Sequence, residues 1–561
     1  MKEIYIELME KALSAYTDEH IQRYLENVKI NGLKEHGFPR LTANIGILMA
    51  HGRRRDLMSV FMEMMDVCCE MFLRPYVRSA NEFSVREIVF CIKEIEDAKL
   101  ADAADIARWK QKISMIVPEA CYDVIVKNET DRITNWAIFG AVSEYVRFHF
   151  GLGENLEFVD RQLSCQFQWL DQNDMYRDNK DSLIHQPIVY DYVSRGLFAT
   201  LLHFGYRGKY YEQMDRCLKN AGLLMLTMQS PTGEVPFGGR SNQFLHNEPW
   251  QMLLFEYEAR RYAAEGNMEQ AAVFKSAVAR SLAVTKAWLD KTPIRHIKNR
   301  FPTETKYGCE DYAYFDKYMI TAASFLYLAY LFCDDSIPTV QTADHTPAVF
   351  ETSYHFHKLF LKNGGYALEF DTNAHGIFDA NGLGRVHREG APSAICMSCP
   401  CPSKPIYTVD IEEPFAFSLC SAVPDGEDWR LGADTSASYR VIESGTDKNS
   451  VSAELLCTFM GGRAVKESYR VDGDGVSIAV EGIGEIGYTL PAFCFDGEVS
   501  PEIVAKEHTL SVKYDGWICR YTTDGEIKDL LKMAANRNGH YRVFLAVAKG
   551  NLNVKIEIIK A

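Results

Sequence analysis

The chain has 561 residues, of which 47% are apolar and 24% charged, and its net charge is −15. That length exceeds what one hydrophobic core supports, so two or more domains are expected, and the apolar content excludes a disordered chain. The acidic balance excludes a nucleic-acid binder, which needs basic patches, and an anionic ligand would have to be met by local Arg, Lys or amide groups.

The N-terminal half is helical in period. After Met1, residues Glu3, Glu7, Glu10 and Lys11 interrupt any apolar run, so no secretory signal is expected and a cytoplasmic location follows. Ile21, Leu25 and Val28 form one apolar stripe, and Leu57, Val60, Phe61, Met64, Met65 and Cys68 form another. Further helices are expected near residues 3–16, 86–98, 103–116, 134–150, 155–170, 188–205, 210–229, 242–263, 267–289 and 311–332. Short connections between them favour antiparallel helical hairpins. No fixed-length repeat is present, which argues against a TPR-type array. The longest uncharged apolar stretch, Tyr318 to Cys333, is short for a membrane span and reads as a buried helix, so no membrane partner is expected.

Between two of these helices lies Gly233-Glu234-Val235-Pro236-Phe237-Gly238-Gly239-Arg240-Ser241-Asn242-Gln243-Phe244-Leu245-His246-Asn247-Glu248. Its glycines let the backbone turn tightly and approach a ligand, and Arg240 is suited to gripping a planar carboxylate. The plainer alternative is a connecting loop with Ser241 or Asn242 as a helix N-cap.

After residue 345 the period becomes two. Glu467–Val471, Asp472-Gly473-Asp474-Gly475 and Val476–Val480 read as a β-hairpin. Strands are also expected over 364–370, 415–419, 541–547 and 554–558. Helices first and strands second predict two domains, residues 1–344 and 345–561, the second an antiparallel β-sandwich. The 15 cysteines are scattered, so reduced thiols are expected. Cys396, Cys399 and Cys401 lack a second CxxC pair, and His355-Phe356-His357, two imidazoles on one strand face, lacks a third ligand; no metal is expected at either.

Helices followed by an antiparallel sandwich resemble the (α/α) toroid plus β-sandwich of heparinase-like and alginate-lyase-like polysaccharide lyases. Asn135-Trp136 looks like the Asn-Trp pair that such lyases place in their cleft. The ordered set Trp169, Met175-Tyr176-Arg177-Asp178, Pro187, Tyr190-Asp191, Arg195 and Gly239-Arg240-Ser241 is similar to that of rhamnosyl-glucuronate lyases. A sister group of toroidal β-glucuronidases shares the Asn-Trp, Tyr-Asp and Gly-Arg-Ser elements. The architectural likeness covers most of the chain and the motif likeness about residues 134–248. It implies an oligosaccharide substrate containing a uronic acid and no cofactor.

β-Elimination from a uronide needs three things: neutralisation of the carboxylate, a base for the C5 proton and an acid for the O4 leaving group. For glucuronate the C5 proton and O4 share a face, so one Tyr could serve as base and then acid. A cationic neighbour should lower its pKa from near 10. Asn135, Arg240 and Asn242 are candidates for neutralisation. Tyr312 and Tyr314, at the start of the last toroid helix, are candidate base and acid; His185 and Tyr190 come from another helix entrance. In the resembled lyases a sandwich loop reaches back with a histidine, which His387 with Arg385 would supply here. Trp136, Arg195, His246, Asn247 and Glu248 complete the expected binding set.

Hydrolysis is the competing chemistry and needs two flanking carboxyl groups, to be sought among Asp171, Asp178, Asp191, Glu248 and Glu310. A non-catalytic carbohydrate binder would present Trp136, Trp169 and Trp250 as platforms without an organised acid and base. A homo-oligomer is compatible with the sequence.

Overall fold

A computed structural model describes residues 1–74, 80–123, 134–178, 185–340 and 346–561. Among the described residues, six almost wholly buried helices form an inner ring: Gly37–Ala50, Val85–Asp97, Asn135–His149, Ile188–His203, Asn247–Ala264 and Phe315–Phe332. Each packs on the next, and Phe315–Phe332 packs back on Gly37–Ala50, closing the ring. Helices Met58–Met71, Ala103–Ser114, Leu156–Leu163, Tyr211–Met228 and Met268–Leu289 lie outside. The N-terminal helix Lys2–Ala12 covers the last inner helix. No helix is long and apolar enough to cross a membrane among the described residues.

Gly37–Ala50 is the inner helix that periodicity does not reveal. It is buried from Gly37 to Met49, so it shows no polar face and no stripe. Its polar residues Arg40, Thr42 and Asn44 are satisfied internally, with Arg40 Nη1 donating to Thr321 Oγ1 (2.8 Å) and Asn44 Nδ2 to Ser324 Oγ (3.0 Å). Two expected helices are shorter than their pattern: 155–170 gives way after Leu163, and 242–263 begins at Asn247, with His246 rather than Ser241 or Asn242 at the N-cap.

The helices end at Phe332 and the strands begin at Ala348; the expected junction at 344/345 lies outside the described residues. The C-terminal part is two antiparallel sheets. The smaller runs Ala348–Glu351, Lys358–Asn363, Tyr366–Asp371, Gly382–Arg388 in sequence order. The larger has 11 strands, with the long partners Gly475–Phe495 and Gly539–Lys560 at its centre. The expected hairpin is present, with Asp472 opposite Gly475. The two strands expected over 541–547 and 554–558 are one, and 415–419 makes only isolated bridges at Phe417 and Leu419.

The small sheet has no solvent face along Lys358–Asn363. Leu359, Leu361, Leu368, Phe370 and Val386 pack into the sandwich core with Val451, Leu455, Val471 and Ile478. Each such buried side chain contributes about 1.5–3 kcal/mol. The alternate positions turn toward the toroid: Phe360 joins its core, Lys362 Nζ donates to Leu226 O (3.0 Å), and Glu369 Oε2 accepts from Phe237 N (3.1 Å). The sandwich therefore rests on the toroid through a layer whose toroid-facing residues include the charged Lys362 and Glu369 as well as Phe360.

Candidate active site

The inner helices run parallel, and the N-terminal ends of several open on one cavity of about 710 Å³. Asn135 and Trp136 begin one helix, Tyr190 lies in the first turn of another, His246 caps a third, and Tyr312, Lys317 and Tyr318 surround the start of the last. His36 and Arg40 enter from Gly37–Ala50. Each helix N-terminus carries about half a positive charge. Lys34, Arg40, Arg240 and Lys317 stand on the walls with Glu35, Asp123 and Asp178, Arg40 paired with Glu87 and Arg240 with Asp178.

The floor is apolar. Phe83 stacks on His36 (centroids 5.2 Å) and on Phe139 (4.1 Å) and meets Trp136 edge-on (4.7 Å), while Trp250 lies 4.2 Å from Phe325. Such a floor suits the apolar faces of a sugar ring, with polar groups at the rim fixing its orientation.

At the rim, the Gly238-Gly239-Arg240-Ser241 segment is held in an unusual backbone shape. Gly239 has φ 74°, and a Cβ there would sit 2.6 Å from Pro187 Cβ, so glycine is required. Ser241 also has positive φ, 56°. The shape is fixed from outside: Gly239 N donates to Asp379 Oδ2 (2.8 Å), Ser241 N to Glu310 Oε1 (2.7 Å), and Asn247 Nδ2 to Ser241 O (3.1 Å). Glu310 is gripped by Arg537 of the sandwich at 2.7 and 2.9 Å. That bidentate pairing outweighs burial and lowers the Glu310 pKa.

The result is a hub. Ser241 Oγ lies within hydrogen-bond distance of the phenols of Tyr190 (3.1 Å), Tyr312 (3.1 Å) and Tyr318 (3.0 Å). A hydroxyl has one proton to give and two lone pairs, so all three contacts can be satisfied at once. The guanidinium of Arg240 lies 4.4 Å from the centre of the Tyr190 ring, and its Nη2 donates to Asp178 Oδ2 (2.6 Å). Asp178 Oδ1 accepts from Asn135 N and Nδ2, both at 2.8 Å. Burial pushes the Asp178 pKa up against the pull of Arg240. Burial likewise raises Tyr190, opposed by Arg240 and Ser241, and raises Tyr312. His246 is held neutral, its pKa pushed down to about 3 by burial and by Arg40, which makes it a weak proton acceptor.

The structure thus brings together Asn135, Trp136, Tyr190, Arg240, His246 and Tyr312. Asn135 and Arg240, the expected neutralisers of a substrate carboxylate, each also direct a donor at the chain's own Asp178. The other expected residues lie outside the cavity, most of them occupied by buried partners. Arg195 pairs with Asp191 on its own helix. Asn242 donates to Pro236 O (3.0 Å), Glu248 pairs with Lys298, and Asn247 holds Ser241 as above. Arg385 binds Val235 O (2.8 Å) and Glu369 (3.1 Å), and His387 Nδ1 lies 2.7 Å from Ser230 Oγ. His185 packs between His357 and His375, centroids 5.0 Å from each. Tyr314 caps the last inner helix beside a separate depression.

Of the five carboxylates considered for hydrolysis, Asp178 alone lines the cavity, where Glu35 and Asp123 join it. Asp171 accepts from Ser353 Oγ (2.5 Å) in a turn. His355-Phe356-His357 forms a turn rather than a strand. Among the described residues no group of three His, Cys, Asp or Glu is placed to hold a metal, and Cys396, Cys399 and Cys401 are buried free thiols. Sequence reasoning missed His36, Arg40, Lys317, Tyr318 and the hub role of Ser241.

Ser241→Ala keeps the Cβ and removes the hub. It is expected to cut kcat by about a hundredfold or more with an unchanged circular-dichroism spectrum. An unaltered kcat would remove the hydroxyl from the chemistry.

No protein-family model matches the chain, and no curated protein matches its sequence. In three dimensions it is similar to a chondroitin AC lyase from Streptomyces coelicolor A3, seen in complex with chondroitin sulphate, at 10% identity and TM-score 0.51 over 99% of this chain and 82% of that one. It also matches heparan sulfate lyase HepC from Pedobacter heparinus (8% identity, TM-score 0.46, 92% and 77% covered). A third match is a glycosyl hydrolase family 88 protein from Bacteroides vulgatus (13% identity, TM-score 0.39, 59% and 98% covered). The first of these establishes the architecture as a helical toroid followed by antiparallel sheets.

Proposed function

We propose that the chain is a carbohydrate-active enzyme that cleaves uronic-acid-containing oligosaccharides by β-elimination, with rhamnosyl-glucuronate among its substrates. The observation that carries this reading is the set of phenols converging on Ser241 beside Arg240, among the helix N-termini of a cavity with an apolar floor. The lyases of similar architecture support the substrate class as an analogy.

In this mechanism the uronate carboxylate sits among the helix N-termini, Lys317 and the outer edge of Arg240. The phenolate of Tyr190, favoured by Arg240, takes the C5 proton. The C4–O4 bond breaks as the C4–C5 double bond forms, and Tyr312 gives its proton to O4. Ser241 then passes the proton from Tyr190 to Tyr312, restoring both groups. Tyr312 suits the acid role because it is 40% exposed at the rim.

Hydrolysis is the second reading, favoured by the presence of Asp178, Glu35 and Asp123 in the cavity. Against it, both Asp178 oxygens already accept protein donors. The deciding experiment uses glucuronide oligosaccharides in water labelled with oxygen-18. Elimination yields a conjugated 4,5-unsaturated product absorbing in the near ultraviolet, without label. Labelled saturated product would establish hydrolysis instead.

The pH profile follows from the raised Tyr190. Below its pKa the phenolate fraction grows with pH, so kcat/KM is expected to rise about tenfold per pH unit above neutrality. A profile flat from pH 7 to 9 (about two units) would exclude a tyrosine base. The expected cytoplasmic location belongs to the same proposal, with imported short oligosaccharides as substrate.

A further inference from the structure

On the opposite side of the Gly233–Ser241 segment lies a second cavity of about 530 Å³, at the toroid–sandwich junction. Its walls come from both parts of the chain: Trp288 lies in the last turn of an outer toroid helix, Lys291 follows that helix, and Trp517 opens a strand of the large sheet. Both indoles are partly exposed. Thr232, Ser393 and Asn299 border them and are held by the chain itself: Thr232 Oγ1 lies 2.9 Å from Ser230 Oγ, Ser393 Oγ bonds Glu234, and Asn299 Nδ2 donates to Tyr307 O and Arg537 O. Flat apolar rings bordered by short polar side chains fit the alternating faces and edges of a pyranose.

Lys291 is a cation of this wall, with Asp515 as a nearby exposed carboxylate that also lines the cavity. Its ammonium lies 4.1 Å from the centre of the Trp288 ring and is partly buried. Among the described residues no carboxylate stands within ion-pairing distance of it. The nearby Asp496 is bound to Arg300 and Tyr514 instead. Glu234, on the cavity wall, is bound to Lys298 and Ser393. A partly desolvated, unpaired ammonium is stabilised by an arriving anion.

We infer that this junction cavity is a second saccharide site, which takes a sugar acid with its carboxylate on Lys291 and its ring against Trp517. The choice of a sugar acid rests on the uronide reading above; the cavity, the indoles and the unpaired ammonium do not. Because Glu234 belongs to the segment that carries Arg240 and Ser241, and Thr232 immediately precedes it, occupancy at the rear bears on the loop at the front. Any change in one affinity must be mirrored in the other.

The test is calorimetric titration of the full chain with methyl β-D-glucuronide, using methyl β-D-glucoside as the uncharged control. Two sites per chain are expected. Lys291→Ala should weaken one at least tenfold for the glucuronide and leave the glucoside unchanged, and Trp517→Ala should weaken that site for both sugars. Both variants should retain the Arg240-dependent component, its affinity shifted only by the lost coupling, and Arg240→Ala removes that component. Wild-type binding with no component sensitive to Lys291 or Trp517 overturns the second site. Binding that keeps the Lys291- and Trp517-sensitive component and has no Arg240-sensitive one overturns the front-site reading and leaves this one standing.

Discussion

Arg240→Ala is expected to lower kcat/KM by about a thousandfold, roughly 4 kcal/mol of transition-state stabilisation, while the chain remains folded. Two losses combine. The cation 4.4 Å from the Tyr190 ring disappears, so burial raises that phenol unopposed by Arg240 and the phenolate becomes scarcer. Asp178 also loses its partner at 2.6 Å and, being buried, shifts toward its protonated form. Arg240 is itself 39% exposed, so its removal opens no core cavity. Steady-state kinetics on a uronide, with thermal unfolding as the control, measure this directly. Arg240→Lys keeps a charge without the fork and should fall between wild type and alanine. Near-normal turnover of every accepted uronide by the alanine variant would refute the assignment.

The largest expected effect on stability lies outside the cavity. Arg537→Met leaves Glu310 buried without its cation and is expected to cost about 3–5 kcal/mol. Both side chains are 2% exposed, and Arg537 also donates to Gly308 O (2.7 Å) and lies 4.0 Å from the centre of the Tyr407 ring. Since Glu310 receives Ser241 N, turnover should fall together with stability. Chemical denaturation of Arg537→Met and of the double variant Arg537→Met/Glu310→Gln reads the pair. The double variant should be the more stable, because the orphaned charge is gone. Equal stabilities of wild type and Arg537→Met would show that the pair does not hold the loop.

Much of this architecture was legible because periodicity reports burial on one side. Helices with a stripe, such as Met58–Met71, and hairpins such as that around Gly473-Asp474 declare themselves. Gly37–Ala50 did not, since an element enclosed on all sides has no contrast to display. With it went His36 and Arg40, although a lone Arg in an apolar run was a usable signal. The same limit explains Arg195, Arg385 and His387. A charged residue near a motif looks alike in sequence whether it faces a substrate or a buried carboxylate, and the partners Asp191 and Glu369 lie across a helix turn or a strand pair. Ser241 was legible only as a possible cap; its hub role depends on phenols 51 to 77 residues away in sequence.

The small sheet without a solvent face has a consequence for the divisibility of the molecule. One side of it completes the sandwich core, and the other carries Lys358, Glu369 and Arg385 into the toroid. A helical half prepared alone would keep the walls of the cavity. It would lose the acceptor of Gly239 N and the clamp on Glu310, and with them the shape of the loop bearing Arg240 and Ser241. The boundary between helices and strands is therefore a change of architecture and not a seam. The two halves share this loop, and the shape of the candidate site is a property of their union.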